Sequence, residues 1–379
     1  MEQEIKVEPS EDLAYWVGAM QADGSLWKYY RKEKRHFEFR LAMGVATKSL
    51  PMLQNVAELS AKIFKRYGKA YKRDKEDQWD YYIQVKQLLP IFEDLKIDVV
   101  FSGESEWGGC SIAVQEAEAL KCDLLVHFGH AKFINVKFPI IYVEVKDELD
   151  LNPLLKKSLS HLKNFKKIGL SYSIQHRHDI KNIMKFFEEN GKKVSLSKKI
   201  GFAAYEGHII GCEYNGLKAI QKGVDAFVII GNRFHSMGAV IAVEKPVILL
   251  DVYNDEIMNM EGIRNKILKQ RAISIQKLKD AKNVGIIVEI KPGQKFGNPK
   301  YLVDKFKEQG KNAIVITMSE ITPEKIMNFY HIDAFVELAC PRIAVDDFAK
   351  YTKPILTFKE ALVALGIKSW EDFLKNGAV

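Results

Sequence analysis

Residues 210–231 read IGCEYNGLKAIQKGVDAFVIIG, and this stretch contains the pattern from which the fold can be predicted. Cys212 follows a glycine, a short amphipathic segment comes next, and Asp225 opens the apolar run DAFVIIG. A short apolar run that follows a helical segment is typical of a buried strand in a parallel sheet. The stretch therefore predicts an α/β unit in which helices cover the faces of the sheet.

Two further parts of the chain repeat this arrangement. Asp123 opens DLLVHFG and Asp333 opens DAFVELA. The residues seven positions after the three aspartates are His130, Asn232 and Cys340. The cysteines thirteen positions before the first two aspartates are Cys110 and Cys212. We therefore predict three related parallel-sheet α/β units around a central site.

The apolar runs and the amphipathic segments give the expected elements. The predicted strands are 97–103, 123–129, 139–145, 167–173, 199–205, 225–231, 246–252, 283–290, 312–318 and 333–339. The predicted helices are 111–121, 152–164, 177–190, 215–222, 258–280, 299–309 and 345–351. The expected domains are a module at 1–97 and α/β units at 98–165, 166–281 and 282–379.

Three of the four cysteines fall on predicted loops at the carboxyl ends of strands. Active sites of open α/β sheets lie at those ends, so Cys110, Cys212 and Cys340 could meet at one centre. The alternative is that they are buried and inert, which is common for this residue. Cys122 lies between a helix and a strand, and we expect it to pack in the core.

The composition describes a soluble protein with an uneven charge. The 379 residues carry 57 Lys and Arg against 49 Asp and Glu, a net charge of +8, and 47% of residues are hydrophobic. This composition excludes disordered and fibrous proteins. Four widely spaced cysteines do not make a disulfide scaffold, and no apolar run approaches the roughly 18 residues of a membrane span. We expect a cytoplasmic protein with no membrane contact.

The basic side chains concentrate between residues 24 and 78, where 14 Lys and Arg face 6 Asp and Glu and aromatic residues are interleaved. A basic segment with aromatics favours nucleic-acid contact. An ordinary solvated face is the alternative.

The segment LAYWVGAMQADGS at 13–25 reads as an apolar helix that ends in Ala-Asp-Gly. It resembles the LAGLIDADG homing endonucleases, with the signature at Trp16–Gly24 and the resemblance over about residues 10–97. The resemblance implies an α+β module in which Asp23 holds a divalent metal. Asp23 and Gly24 could instead form a helix C-cap. A LAGLIDADG-type DNA-binding protein or endonuclease, with an inactive C-terminal passenger, is thus the alternative function.

Four long segments resemble the radical enzymes of diphthamide biosynthesis, the 2-(3-amino-3-carboxypropyl)histidine synthases. They are SGESEWGGCSIAVQEAEALKCDLLVHFGH (102–130), IGCEYNGLKAIQKGVDAFVIIGNRFHSMGA (210–239), KPGQKFGNPKYLVDKFKEQGK (291–311) and ELACPRIAVDDFAKYTKPILT (337–357). The resemblance extends over about residues 97–379.

This resemblance implies a transferase that uses a 4Fe–4S cluster and S-adenosylmethionine. Cys110, Cys212 and Cys340 match the three cluster ligands, and one iron is left open for S-adenosylmethionine. The implied reaction transfers the 3-amino-3-carboxypropyl group to a histidine of translation elongation factor 2. Archaeal members of the family work as homodimers, which implies a homodimer here.

Less direct matches lie on two loops. Asn232, Arg233 and His235 follow the strand 225–231, and Gln294 follows the strand 283–290. The resemblance implies cofactor binding by these four residues, and loop capping or ion pairing is the alternative. Arg342 and Asp346 are expected to cap a helix start.

A third interpretation is a zinc site that combines the cysteines with His127 or His130. His127 alternates with buried neighbours on a predicted strand, which favours a packing role.

Overall fold

The computed structural model describes residues 24–31, 36–46, 69–72, 78–84, 100, 102, 108–147 and 149–376, with the backbone alone in the first four ranges. Asp23, the predicted helix before it and most of the predicted strand 97–103 lie outside the described residues. The chain forms two compact units. One contains strands β1–β4 with residues 113–131 and 138–147, and the other contains residues 108–112, 132–137 and 149–376.

The first described element is an antiparallel sheet of four strands in the order β1-β2-β4-β3. Its strands are β1 (Gly24–Arg31), β2 (His36–Ala46), β3 (Lys69–Lys72) and β4 (Gln78–Gln84). The predicted helix 13–25 is too long at its end, because Gly24 and Ser25 already pair with Met43 and Ala42 in this sheet.

Residues 113–147 contribute one helix and one pair of parallel strands. They are α1 (Val114–Ala119), β5 (Leu125–Phe128) and β6 (Ile140–Val143). The predicted strands 123–129 and 139–145 are therefore confirmed, each slightly shorter than expected.

Residues 149–280 form a five-stranded sheet in the order β11-β10-β9-β7-β8. Its strands are β7 (Lys167–Tyr172), β8 (Lys193–Leu196), β9 (Ala226–Gly231), β10 (Val247–Asp251) and β11 (Glu256–Asn259). The helices are α2 (Asn152–His161), α3 (Ile180–Glu189), α4 (Asn215–Ile220), α5 (Arg233–Ala242) and α6 (Glu261–Asp280). Short 3₁₀ turns occur at Ile174–Asp179 and Gln221–Gly223. Only the edge strand β11 is antiparallel.

Residues 283–376 form a four-stranded parallel sheet in the order β13-β12-β14-β15. Its strands are β12 (Asn283–Glu289), β13 (Asn312–Met318), β14 (Ala334–Glu337) and β15 (Ile355–Thr357). The helices are α7 (Pro299–Glu308), α8 (Pro323–Met327), α9 (Pro341–Val345), α10 (Phe358–Ala364) and α11 (Trp370–Asn376). A 3₁₀ turn occurs at Phe348–Lys350.

The two parallel sheets have the same internal plan. The strands β10-β9-β7-β8 of one sheet correspond in order to β15-β14-β12-β13 of the other. Asp225 accepts backbone hydrogen bonds from Lys166 (2.9 Å) and Lys167 (2.8 Å), at the start of β7. Asp333 accepts the matching pair from Lys282 (2.9 Å) and Asn283 (2.7 Å), at the start of β12. The repeat expected from these two aspartates is thus present in the fold.

One hydrophobic core joins these two sheets. It includes Ile229 and Leu249 from the five-stranded sheet and Ile286 and Val336 from the four-stranded sheet, all essentially inaccessible to solvent. Every residue of β9 is buried, as expected for a strand covered on both faces.

Several predicted elements are wrong. The run 199–205 is not a strand, because it turns at Gly201, whose φ is +64°. The predicted helix 345–351 is replaced by α9, which begins earlier because Pro341 suits the first helical turn. The helix expected from residue 258 begins at Glu261, since residues 256–259 pair with β10.

A buried ion pair connects the helices behind the four-stranded sheet. The Arg271 guanidinium on α6 donates to both carboxylate oxygens of Glu360 at 2.5 and 2.7 Å. It also donates to the carbonyls of Ala344 in α9 and Ile355 in β15, each at 2.7 Å. Glu360 in turn accepts from the Thr357 backbone at 2.8 Å, so α10 is held in the same network.

Replacing Arg271 by Met should therefore destabilise this unit strongly, because Glu360 would stay buried without its partner. We expect the free energy of unfolding, measured by urea denaturation, to fall by about 3–5 kcal/mol. Lys185→Met, in the exposed pair with Glu189, is the control and should change it by about 0.5 kcal/mol or less. Equal stabilities of Arg271→Met and the unmodified protein would contradict this role.

Candidate functional site

Cys340 lies just beyond the carboxyl end of β14. It is the N-cap residue of α9, with φ −98° and ψ 113°, and Pro341 occupies the first helical turn. The preceding turn is fixed because the Ala339 amide donates to the Glu337 carboxylate at 2.8 Å. The thiol is therefore held where β14 ends and the helix begins.

Cys212 reaches the edge of the five-stranded sheet through a strand that is interrupted. β8 stops at Leu196, but the chain returns to pair with the end of β7: Tyr172 donates to Gly207 at 2.8 Å, and Ile209 donates to Tyr172 at 3.0 Å. The Tyr214 hydroxyl then donates to the Gly211 carbonyl at 2.7 Å and closes the turn around Cys212. Cys212 thus lies beyond the carboxyl end of β7.

Cys110 is fixed by the loop that follows β12. The Gly293 amide donates to the Cys110 carbonyl at 2.8 Å, and the Gln294 amide Nε2 lies 3.5 Å from the Cys110 sulfur. A Cβ at position 293 would lie 2.7 Å from both Cα and Cβ of Cys110. Only glycine permits this approach of the two backbones.

The three thiols influence one another electrostatically. Burial raises the pKa of Cys212 to about 12, and the charge of Cys110 raises it further. Burial also raises the pKa of Cys340, with Cys212 and Cys110 acting in the same direction. The pKa of Cys110 is raised, chiefly by burial. Contacts agree with this: Cys110 touches the loop after β12, Cys340 follows the paired strand β14, and the Phe234 ring packs on Gly211 and lies 4.2 Å from the guanidinium carbon of Arg342. The three cysteines, distant in the sequence, therefore lie in one region of the fold.

An arginine lies beside this group of thiols. Arg342, in the first turn of α9, is 4% exposed and its guanidinium carbon lies 4.2 Å from the centre of the Phe234 ring. It forms an ion pair with Asp346, and its charge lowers the pKa of Cys212 against the effect of burial. The Phe234 ring also packs on Gly211, next to Cys212. The expected role of Arg342 and Asp346 as caps of a helix start is wrong, because α9 begins after Cys340 without a side-chain cap and Asp346 lies at its C-terminal end.

The four expected cofactor-binding residues occupy different surroundings. Gln294 is 4% exposed and touches Cys110. Asn232 Oδ1 lies 3.1 Å from Nδ1 of His235, at the start of α5 and beside Phe234. Arg233 is largely exposed, and its contacts are with Met258 (3.4 Å) and Glu256 (4.0 Å) on β11.

Polar atoms without hydrogen-bond partners among the described residues cluster near the end of β7. They are the hydroxyls of Ser171 and Ser173 and both ring nitrogens of His176. His176 is 1% exposed, and burial lowers its pKa to about 4, so the ring is neutral at pH 7. A Cβ on Gly231 would lie 3.3 Å from Nδ1 of His235 and 3.4 Å from the Ser173 hydroxyl, which places these groups together at the carboxyl ends of β7 and β9.

His127 and His130, considered as zinc ligands, contact each other, with Nε2 of the first 3.0 Å from Nδ1 of the second. Burial lowers the pKa of each to about 4. In the part of the chain that the structure describes, no three His, Cys, Asp or Glu side chains are grouped closely enough to hold a single metal ion. Zn–S bonds of about 2.3 Å would bring three sulfurs to about 3.8 Å from one another, so the cysteines are not arranged around one zinc. Cys122 is only half-buried, less than the core position expected for it.

Sequence reasoning did not identify Phe234, Tyr214 or Gly293 as site residues. Phe234 and Tyr214 gave no signal, since their partners are far away in the sequence. Gly293 stands in the motif KPGQKFG, and its turn-forming composition was the available indication.

Gly293→Ala should disturb Cys110, because the new methyl group would meet backbone atoms that cannot move independently. We expect overpacking to lower the free energy of unfolding by about 1–3 kcal/mol. The control is Gly262→Ala in α6, where a Cβ has no neighbour within 4 Å, and it should be neutral or slightly stabilising. Urea denaturation of both variants measures the difference, and equal behaviour would exclude the tight contact.

Comparison with known proteins identifies close relatives. The chain is 31% identical over 294 residues to the 2-(3-amino-3-carboxypropyl)histidine synthase of Pyrococcus horikoshii. This alignment covers 76% of this chain and 84% of the relative. It is 29% identical over 304 residues to subunit 1 of the synthase from Schizosaccharomyces pombe, covering 75% and 67% of the two chains.

Comparison with solved structures leads to the same group of proteins as the sequence comparison. The crystal structure of Dph2 from Pyrococcus horikoshii with a 4Fe-4S cluster matches with a TM-score of 0.68 and 30% identity, over 75% of this chain and 82% of that one. This match confirms the predicted α/β architecture with parallel sheets. The LAGLIDADG homing endonuclease I-SmaMI matches 24% of this chain with a TM-score of 0.18, which is too low to establish a shared fold.

The match to a family model extends further toward the N-terminus than the resemblance seen in the sequence. The model for diphthamide synthesis proteins matches residues 80–374, so it begins within β4 rather than near residue 97. Among the described helices, none is long and apolar enough to cross a membrane. The family match covers most of the chain, and the chain belongs to the family of diphthamide synthesis proteins.

Proposed function

We propose that this protein is a 2-(3-amino-3-carboxypropyl)histidine synthase that transfers the 3-amino-3-carboxypropyl group of S-adenosylmethionine to a histidine of translation elongation factor 2. In this proposal Cys110, Cys212 and Cys340 hold a 4Fe–4S cluster. The observation that carries it is geometric: the loop after β12 touches Cys110, the turn after β14 carries Cys340, and these two strands pair in parallel and end at the same edge of the sheet. The family match supports the reaction class.

The donor set suits an iron–sulfur cluster. Thiolates are soft ligands that favour iron–sulfur clusters, and no carboxylate or imidazole is needed to complete a set of three. Burial raises the pKa of all three thiols, and positively charged iron would favour their ionised form. A cubane held by Cys110, Cys212 and Cys340 would leave one iron free to bind S-adenosylmethionine and, once reduced, would supply the electron that cleaves its carbon–sulfur bond.

The protein itself contributes positioning and a protected environment. Gln294 donates toward the sulfur of Cys110 and orients it. Pro341 and the Ala339–Glu337 hydrogen bond hold the turn that carries Cys340. Phe234 packs on Gly211 and so contacts the backbone next to Cys212.

We assign a separate role to each of the four residues expected to bind the cofactor. Gln294 touches Cys110, and His235 lies with the Ser173 hydroxyl at the ends of β7 and β9, so we assign both to the wall of the cofactor site. Asn232 orients His235 through its amide oxygen. Arg233, exposed beside β11, is suited to meeting an acidic group of the protein substrate at the rim.

We assign the catalytic part of the chain to α/β units at 98–165, 166–281 and 282–379. Repeated strand order and the matched aspartate clamps support the last two units. We also propose that the protein is a homodimer, that it is located in the cytoplasm and that it uses S-adenosylmethionine as its cosubstrate.

The segment before residue 98 is assigned to a LAGLIDADG-like module that can contact DNA through residues 24–78. Its support is the Ala-Asp-Gly signature, the basic charge and the four-stranded antiparallel sheet β1-β2-β4-β3. The family match favours the transferase over an endonuclease as the main activity. If Asp23 binds a catalytic metal, metal-dependent nicking of plasmid DNA should be lost in Asp23→Asn, and unchanged nicking would remove that role.

The transferase proposal predicts a specific effect of each cysteine. After anaerobic reconstitution and reduction, the protein should release 5′-methylthioadenosine from S-adenosylmethionine and modify elongation factor 2. Alanine at position 110, 212 or 340 should abolish both reactions, because two thiolates cannot retain the cluster in the required form. Chromatography of the nucleoside and mass spectrometry of the substrate measure the outcome.

Cys122→Ala is the matched control, since it removes a thiol outside the group of three. It should retain the iron and the activity of the unmodified protein. Full activity in any of the three other alanine variants, or its loss in Cys122→Ala alone, would contradict the ligand assignment.

A further inference from the structure

The buried guanidinium of Arg342 is the feature near the cysteines that the proposed function leaves unexplained. It is 4% exposed, it lies on the face of Phe234 at 4.2 Å, and it is two residues beyond Cys340. A long cationic side chain is rarely placed in such a position, because removing a charge from water is costly unless partners compensate for it.

Asp346 supplies only part of this compensation. The Nη2 group of Arg342 approaches the Asp346 carboxylate, and the Tyr214 hydroxyl lies within hydrogen-bond reach of the guanidinium. Even so, Nε, Nη1 and Nη2 make no hydrogen bond of good geometry among the described residues. A guanidinium has five N–H donors in a rigid plane, and buried donors are satisfied in nearly all proteins. The unpaired N–H groups therefore indicate an acceptor that binds at this site.

The surroundings of Arg342 identify where that acceptor lies. Its charge acts on Cys212 and on Tyr214, whose hydroxyl closes the turn around Cys212. The guanidinium also lies on the face of the Phe234 ring, and this ring packs on Gly211. The guanidinium is thus located between the loop that carries Cys212 and the helix that follows Cys340.

We propose that Arg342 is a positioning residue that donates N–H hydrogen bonds to sulfur on the Cys212–Cys340 side of the cluster, and that Arg342 and Asp346 together set its reduction potential. This inference rests on the proposed function. Hydrogen bonds to sulfur and the local net charge are established determinants of iron–sulfur potentials. The cationic member of the pair favours the reduced cluster, and the anionic member opposes it.

The two members of the pair therefore give shifts of opposite sign. Arg342→Met removes the cation and leaves Asp346 unopposed, so reduction should become less favourable by about tenfold, a fall of about 59 mV for a one-electron couple. Asp346→Asn leaves the guanidinium unopposed and should raise the potential. Arg342→Lys keeps the charge without the planar donors, and its potential should lie between those of Arg342→Met and the unmodified protein.

The experiment is a redox titration of the anaerobically reconstituted full-length variants, followed by the electron paramagnetic resonance signal of the reduced cluster. Iron and sulfide content are measured first, so that loading is known separately from potential. Arg264→Gln is the matched control, because Arg264 is also a partly buried arginine paired with an acid, Glu261, on α6. Its potential should equal that of the unmodified protein.

Opposite shifts in Arg342→Met and Asp346→Asn support the proposal, since a purely structural role gives no reason for a change of sign. Unchanged reduction potentials in variants that load the cluster overturn the proposal. This includes the case in which Arg342→Met raises only the KM for S-adenosylmethionine, because that result is expected if the guanidinium binds the substrate carboxylate instead. If Arg342→Met does not load, Asp346→Asn decides alone: a raised potential supports the proposal and an unchanged one overturns it. An unmodified protein without iron would remove the proposed function and this inference together, whereas unchanged potentials leave the proposed function standing.

Discussion

The parallel pairing of β12 with β14 is the interaction on which the candidate site depends. These strands run side by side, with Gly285 opposite Phe335 and Ile287 opposite Glu337, so both end at the same edge of the sheet. The loop after β12 fixes Cys110 through the Gly293 amide, and the turn after β14 carries Cys340. Two cysteines that are 230 positions apart in the sequence are thus brought together by backbone hydrogen bonds.

Packing between the two parallel sheets brings Cys212 toward Cys110 and Cys340. A shared hydrophobic core holds the five-stranded sheet against the four-stranded sheet, and Phe234 bridges Gly211 of one to Arg342 of the other. Behind the site, the Arg271–Glu360 pair fixes the far end of α9 through the Ala344 carbonyl. The helix that begins at Cys340 is therefore held at both ends, which limits the freedom of that thiol.

The repeated sequence pattern was sufficient to predict the parts of the fold that depend on local signals. Asp225 and Asp333 open equivalent strands, and the structure shows why: each clamps the amino end of a neighbouring strand. The position of Cys340 was likewise predictable, because it follows the expected strand that the structure shows as β14. The strand expected before Cys212 is absent, and most of the strand expected before Cys110 lies outside the described residues. The interrupted course of β8 was not predictable, because the apolar run 199–205 has the pattern of a strand although the chain turns at Gly201. Phe234, Tyr214 and the orientation of Arg342 depend on tertiary contacts that no local pattern encodes.

Iron and acid-labile sulfide analysis of the anaerobically reconstituted protein, combined with Mössbauer spectroscopy, tests the central claim most directly. We expect a cubane with four irons and four sulfides per chain, in which one iron differs from the other three because it lacks a cysteine ligand. Binding of zinc in place of iron, or a cluster with four equivalent cysteine-bound irons, would contradict the claim that these three cysteines form an open cluster site.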